Sequence, residues 1–366
     1  MKKKLALLLA AAMVVSALAG CGSKPAASSS SSGTGSISSP GGASSSVDGS
    51  TGDTSTSGSY ELPDFMVMSG PTGVGAAKLM ADADAFDPTN ADTHRANVVA
   101  SSTVVADNEA VKNALINGDA DIAAVATNMA ATLSAKTDGA IQVLAVNTLG
   151  VLYILEKGDT VQSMADLKGK TLYAPSTAKG ANPEYILNYL LTENGVDPSE
   201  VDIQWLTPQE ITAQIASSES GICMLPVPAA TALLMKDSGV REALSLTTEW
   251  EALGSGALAQ GCIVARTDYI EANPLGVENF LAAYQDSIAY MTDEANRADA
   301  AALVAQYEIT ANEQIASKAI PQCNLVCITG VEMQNILEQF YQVLYQADPA
   351  SIGGAMPYDS FYYGVE

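Results

Sequence analysis

Small hydroxyl residues and glycines are concentrated in the stretch 69–75, Ser-Gly-Pro-Thr-Gly-Val-Gly, directly after the apolar run 65–68. Glycines let a backbone approach a ligand closely, and the first turn of a following helix leaves N–H groups unpaired. The pattern fits a loop that binds an anion or a carbonyl oxygen, and it also fits an ordinary strand-to-helix turn. It does not fit a P-loop, because Ala76 and Ala77 stand where the lysine and the Ser/Thr are required.

Catalytic chemistry finds little support in the sequence. The single histidine, His94, lies in a polar acidic stretch without a serine, cysteine or acid in a recognised catalytic motif. Ser176 and Lys179 match the S-x-x-K spacing of penicillin-binding enzymes, but Gly180 and Pro183 place the lysine in a loop before the helix. We interpret that match as chance and predict no catalytic residue.

Metal chemistry is equally unsupported. Four aspartates, Asp82, Asp84, Asp87 and Asp92, resemble a calcium loop, but Phe86 occupies a ligand position and no glycine follows it. No cysteine–histidine cluster has zinc spacing. We therefore expect a solvated acidic surface, with no metal and no cofactor.

Four strand–loop–helix units would position the loop residues. Met66–Met80 resembles Thr171–Leu191, and Asp121–Ala131 resembles Gly221–Thr231, a hundred positions later. Alternation of strands and helices predicts an α/β fold with two similar lobes, mainly parallel sheets and a hinge between the lobes. Ligands of such sheets bind beyond the carboxyl ends of the strands, where all four loops are expected to lie.

The predicted boundaries follow from these units. The first lobe takes 60–157 and 263–366, the second takes 158–262, and the strand 260–266 returns the chain to the first. Amphipathic spacing predicts that the last third is helical. Its predicted helices, expected to pack rather than bind, are 274–292, 297–307, 311–319 and 331–346.

The N-terminus has the features of an exported lipoprotein. Residues 1–20 combine three lysines with an apolar run too short for a comfortable membrane span, which favours a signal peptide over a signal anchor. Cys21 follows Leu-Ala-Gly, which makes it the expected lipid acceptor. Residues 21–59 are mostly Ser, Gly and Thr, a composition typical of a disordered tether. We expect an extracytoplasmic protein, anchored by lipid to the outer face of the cytoplasmic membrane.

Charge and cysteine content narrow the classes further. A formal net charge of −24 excludes nucleic-acid binding through a basic patch. Cys323 and Cys327 would lie about 13 Å apart along an extended run, too far for a disulfide. The apolar neighbours of Cys223, Cys262 and this pair favour buried free thiols, and Cys223 with Cys262 is the one disulfide left open.

Several of these segments together resemble the solute-binding lipoproteins of ABC importers. The closest group is the nitrate, sulfonate, taurine and thiamine-precursor family of the type II periplasmic-binding-protein fold. Besides the lipid-acceptor segment, the resemblance rests on 68–73, 145–153, 166–171, 182–185, 225–226, 351–354 and 361–363.

This resemblance implies a monomeric two-lobed clamp that captures a small solute and delivers it to a permease driven by an ATPase. Carried over to matching positions, its ligand-binding residues are Ser69, Gly70, Thr72, Gly73, Thr127, Asn128, Asn147, Thr148, Ser176, Thr177, Gly180, Pro226 and Val227. Because no arginine lies in the four loops, a neutral or weakly anionic ligand is expected. Two alternatives stay open: an enzyme of the thiamine- or menaquinone-pathway type on the same fold, and a permease-independent sensor or scavenger.

Overall fold

Strands and helices alternate through the part of the chain that a computed structural model describes, residues 60–90 and 97–365. The predictions for the signal peptide, for Cys21, for the tether, for Asp92 and for His94 lie outside these residues. Among the described residues, no helix is long and apolar enough to cross a membrane.

The strands fall into two sheets. They are β1 (Asp64–Met68), β2 (Ser101–Val105), β3 (Ile122–Ala126), β4 (Ile141–Thr148), β5 (Leu152–Lys157), β6 (Thr171–Pro175), β7 (Asp202–Leu206), β8 (Gly221–Pro226), β9 (Val240–Ser245), β10 (Gly261–Arg266) and β11 (Leu325–Ile328). The six-stranded sheet has the order β11-β4-β10-β3-β1-β2, and the five-stranded sheet has the order β7-β6-β8-β5-β9.

Helices cover the sheets and continue to the C-terminus. They are α1 (Pro71–Val74), α2 (Ala77–Asp84), α3 (Asn108–Asn117), α4 (Thr127–Lys136), α5 (Asn182–Glu193), α6 (Pro208–Ser217), α7 (Ala229–Lys236), α8 (Leu246–Ala252), α9 (Thr267–Ala272), α10 (Pro274–Thr292), α11 (Arg297–Gln306), α12 (Glu313–Ala319) and α13 (Gly330–Ala347). The predicted C-terminal helices are confirmed, with bounds that differ by two residues or fewer.

Both sheets are mixed, although the α/β class with two lobes is confirmed. In each sheet the strands that lead into the four predicted loops run parallel, β1 beside β3 and β6 beside β8. Their neighbours β10 and β5 run antiparallel to them. β5 and β10 carry the chain from one sheet to the other. Each therefore runs in the direction opposite to the parallel strands of the sheet that it joins.

The chain passes from the first sheet to the second after β4. β4 ends at Thr148 in the first sheet, and β5 starts at Leu152 in the second. β5 pairs there with β8 and β9. The return strand was predicted correctly, because β10 lies between β4 and β3 of the first sheet.

The C-terminal helix α13 joins the cores of the two lobes. Its buried residues Met333, Leu337, Phe340 and Leu344 recur at spacings of three and four, so they form one apolar face. That face belongs to a core cluster that also contains residues of β4, α5 and α8. At the junction, the ring of Trp250 lies 5.5 Å from that of Phe340.

The four cysteines of the described residues carry free thiols, so the possible Cys223–Cys262 disulfide is not formed. Cys223 lies in β8 and Cys262 in β10, which belong to different sheets. Burial raises the pKa of the Cys223 thiol to about 12 and also raises that of Cys262. Both are therefore unreactive apolar side chains at neutral pH.

Candidate ligand-binding site

The loop after β1 needs its glycines for backbone geometry. Gly70 has φ = +102°, a conformation that other residues rarely adopt. At Gly73, a Cβ would collide with the carbonyl oxygen of Met68 and touch the Val67 side chain. With this loop geometry, Thr72 of α1 lies beside Gly261 at the start of the central strand β10.

Gly261, the first residue of β10, is the point around which several predicted site residues meet. It pairs with Ala126 on one side and with Thr148 on the other. A Cβ at Gly261 would lie 2.6 Å from Asn147 Oδ1, 3.1 Å from Thr148 Cβ and closer still to Thr72 Cγ2. The structure thus brings these three predicted residues to one end of the first sheet.

Asn147 connects this point to the helices behind it. Its Nδ2 donates to the carbonyl oxygen of Thr72 at 3.0 Å and to the hydroxyl of Tyr284 at 3.0 Å. Its Oδ1 is buried and has no hydrogen-bond partner, and the same holds for Thr148 Oγ1. Buried polar atoms are normally paired, so these two are exceptions that call for an explanation.

Thr127 links the first lobe to the second. Its Oγ1 donates to the carbonyl of Ala259 at 2.8 Å and accepts from Asn182 Nδ2 at 2.7 Å. Its own carbonyl accepts from the Tyr341 hydroxyl at 2.8 Å. Asn128, the next residue, turns its Nδ2 toward the carbonyl of Ser351 at 3.4 Å.

The predicted residues of the second lobe divide into two groups. Ser176, Thr177 and Gly180 are exposed, whereas Val227 is fully buried in the apolar core of the first lobe's helices. Thr177 and Pro226 line a small cavity of about 70 Å³ at the carboxyl ends of β6 and β8. The other residues around it are Leu152, Pro175, Ala178, Pro183 and Met224. The cavity is thus mainly apolar, with one hydroxyl.

Two residues central to this geometry were not predicted as site residues. Asn182 is the first residue of α5, after Ala181 at the N-cap position, and its amide reaches the first lobe. Gln260, expected only as strand, accepts from Asn182 Nδ2 at 3.1 Å through its carbonyl and from Val151 N–H at 2.6 Å through Oε1. An Asn-Pro pair at a helix start was the available signal, yet it is equally typical of a cap.

The second-lobe loop carries charges of both signs. The Gly180 N–H already donates to the carboxylate of Glu184 at 2.5 Å. Lys179 is exposed at the end of a short 3₁₀ turn. Burial and the nearby Glu242 carboxylate raise the pKa of Tyr153 above its ordinary value, so the phenol at this position is a neutral group.

Hydroxyls, amides and backbone groups therefore dominate the region where the lobes meet. Among residues 60–90 and 97–365, no group of three or more His, Cys, Asp or Glu side chains could hold a metal ion. The arrangement can hold a small polar molecule through hydrogen bonds between two lobes.

The chain passes twice between two α/β lobes, and the strand-to-helix loops of the lobes face each other. This arrangement defines the type II periplasmic-binding-protein fold. An ABC transporter protein of known structure from Parabacteroides distasonis is similar to the chain, with a TM-score of 0.65 and 22% identity over 82% of this chain and 98% of that one. The aliphatic sulphonate-binding protein SsuA from Escherichia coli is similar at a TM-score of 0.62 and 15% identity, over 79% and 93% of the chains. No curated protein matches the chain.

Sequence similarity identifies the family. The profile of the family described as NMT1/THI5 like matches residues 103–298, more than half of the chain. The chain belongs to this NMT1/THI5-like family, which confirms the resemblance drawn from the sequence.

Proposed function

We propose that the chain is an extracytoplasmic solute-binding lipoprotein, which captures a small molecule between its lobes and delivers it to an ABC importer. The observation that carries this proposal is the direct contact between Asn182 of α5 and the loop at Thr127, because it brings strand-to-helix loops of both sheets together. Family membership and the fold support the same function.

The lobes of this proposal follow the sheets. The first lobe ends at Thr148, the second extends from Leu152 through α8, and β10 begins the return. Gln260 lies where the crossings meet, because its N–H donates to the carbonyl of Thr148 and its side chain accepts from Val151. We assign the hinge to these two crossings.

The ligand site of this proposal comprises the predicted residues together with Asn182. Thr72, Asn147 and Thr148 contribute from the first lobe, and Thr177 and Pro226 contribute the wall of the small cavity. The absence of arginine from all four loops supports a neutral or weakly anionic ligand, since bidentate capture of a strong oxyanion normally uses arginine.

The location and assembly rest on the N-terminal sequence and on the family. Export by the segment 1–20, lipid attachment at Cys21 and a tether over 21–59 would hold a monomer outside the membrane, next to its permease. An enzyme remains the second candidate because the family also includes biosynthetic enzymes. The sparse catalytic chemistry of the sequence supports the transport function instead.

A solute screen tests this function. The full chain, purified in detergent, is combined with a library of small polar metabolites, and its thermal unfolding is followed. A ligand present at about a hundred times its Kd should stabilise the fold by about 2.7 kcal/mol. Chemical conversion of the stabilising solute by the purified chain would contradict transport and favour the enzyme.

A matched pair of variants locates the site. Thr177 is exposed at the small cavity, so Thr177→Trp should fill the cleft and abolish the ligand-induced stabilisation without unfolding the chain. Thr103→Trp places the same side chain at an exposed position of β2 and should leave the stabilisation intact. Equal ligand responses in both variants would remove the cavity from the site.

A further inference from the structure

Unpaired buried oxygens are concentrated where the two lobes meet. We call Asn128 Oδ1, Asn147 Oδ1, Thr148 Oγ1 and Asn182 Oδ1 the oxygen cluster. They are four of the eight buried side-chain polar atoms without a hydrogen-bond partner in the described part of the chain. The exposed fractions of these residues are 6%, 0%, 0% and 2%, so bulk solvent does not reach them.

The orientation of the three asparagines is set by backbone carbonyls. Each Nδ2 faces a carbonyl oxygen: that of Ser351 for Asn128, that of Thr72 for Asn147 and that of Gln260 for Asn182. Because a carbonyl can only accept, exchanging the amide nitrogen and oxygen would put two acceptors together. The Oδ1 atoms are therefore the groups left unpaired, and each of them can only accept.

Three of the four residues, Asn147, Thr148 and Asn182, lie beside one short segment, Gln260–Gly261. Asn182 contacts the carbonyl of Gln260, and a Cβ at Gly261 would collide with Asn147 and press against Thr148. Asn128 follows Thr127, whose N–H donates to that same Gln260 carbonyl at 3.3 Å. The cluster thus lies at the junction of β3, β10 and β4 with the start of α5.

From this geometry we infer that the ligand is an uncharged small molecule that presents N–H or O–H donors to the oxygen cluster. The inference rests on the proposed binding function. It narrows the expected ligands from neutral or weakly anionic molecules to neutral hydrogen-bond donors. An oxyanion would bring further lone pairs against three acceptor-only oxygens, and the charges of Lys179 and Glu184 on the second-lobe loop offset each other. A ligand donor removes the cost of leaving these atoms desolvated and unpaired, so it favours the closed arrangement of the lobes.

Four small probes of equal heavy-atom count separate hydrogen-bond polarity from charge. Methylurea is a neutral donor, dimethyl sulfone a neutral acceptor, methanesulfonate an anionic acceptor and methylguanidinium a cationic donor. Binding of each to the full chain in detergent is measured at millimolar concentration by ligand-observed NMR. Methylurea should bind at least about tenfold more tightly than dimethyl sulfone or methanesulfonate, which is the effect of one to two hydrogen bonds.

A conservative pair of variants ties this preference to the cluster. Thr148→Val removes one oxygen of the cluster while keeping the side-chain shape, and it should weaken methylurea binding by about threefold to tenfold. Thr103→Val makes the same change at an exposed position of β2 and should leave binding unchanged.

Several outcomes would overturn the inference. The first is that methanesulfonate or dimethyl sulfone binds as tightly as methylurea. The second is that methylurea shows no saturable binding. The third is that methylurea binds equally well to Thr148→Val and to the unmodified chain. None of these outcomes refutes solute binding as such. Binding of a sulfonate at the same cleft would keep the transport function and reject only the donor ligand, whereas turnover in the solute screen would reject the transport function.

Discussion

Trp250 offers the strongest test of how the lobes are joined. Its side chain is fully buried in α8 of the second lobe, and its ring lies 5.1 Å from that of Tyr189 and 5.5 Å from that of Phe340 in α13. Its Nε1–H is buried without a hydrogen-bond acceptor. The residue therefore combines a large packing gain with one unsatisfied donor.

These terms predict stability losses of different size for two variants. Replacing a buried tryptophan with alanine costs about 3–5 kcal/mol, and each aromatic contact contributes about 0.5–1.5 kcal/mol beyond its area. The unpaired N–H costs about 1–3 kcal/mol, which either variant recovers. We expect Trp250→Ala to lower the free energy of unfolding by about 3–4 kcal/mol, and Trp250→Phe to change it by about 1 kcal/mol or less.

Urea unfolding followed by circular dichroism and by fluorescence measures both effects. The chain has two tryptophans, so both variants leave only Trp205, in β7, as a fluorescent reporter of the second lobe. Trp205→Phe is the matched control, with an expected loss below about 1 kcal/mol because that residue is only partly buried. A loss below about 1 kcal/mol in Trp250→Ala, or equal losses in both Trp250 variants, would refute the reasoning.

Three further predictions concern the cleft, an ion pair and the anchor. Gly261→Ala should lower the free energy of unfolding in urea by about 1–3 kcal/mol and abolish solute binding, because its Cβ would collide with the cleft residues. Gly239→Ala, at an exposed turn, should change neither the stability nor the binding. Burial opposes the charge of Glu156, but hydrogen bonds from Thr160 and Val161 and the Arg241 guanidinium lower its pKa below its ordinary 4.5. The stabilisation that the Glu156 carboxylate provides is therefore present above pH 4.5 and is lost as the pH falls through its lowered pKa. Glu156→Gln should lower the free energy of unfolding by about 3 kcal/mol at neutral pH and make unfolding less sensitive to acid. An unchanged pH profile of stability would contradict this prediction. Cys21→Ser should release the chain from membranes in cell fractionation while Ser23→Ala does not, and retention of the Cys21 variant would contradict the lipid anchor.

Local sequence was sufficient for much of the fold. The helix Pro274–Thr292 was predicted with its observed bounds, because a proline at its start and an unbroken apolar periodicity act within the segment itself. The loop at Gly70 was likewise predictable, since only glycine readily adopts its positive φ. The four strand-to-helix units follow the same local rules.

Other features needed contacts between distant parts of the chain. The strand Leu152–Lys157 has the same apolar composition as its neighbours, so its sequence did not reveal that it pairs in the second sheet. Asn182 looked like a helix cap, and only the position of Thr127 on the other lobe turned its amide into a link between lobes.

The sequence by itself determined the α/β class, the terminal helices, the family and the chemical types of the loop residues. The tertiary structure decided where the chain passes between sheets, that Cys223 and Cys262 stay unpaired, and which amide oxygens are left without partners at Gly261. The physical reason is that backbone propensities and periodicity are properties of short segments. Pairing, burial and hydrogen-bond satisfaction depend on which distant segments meet.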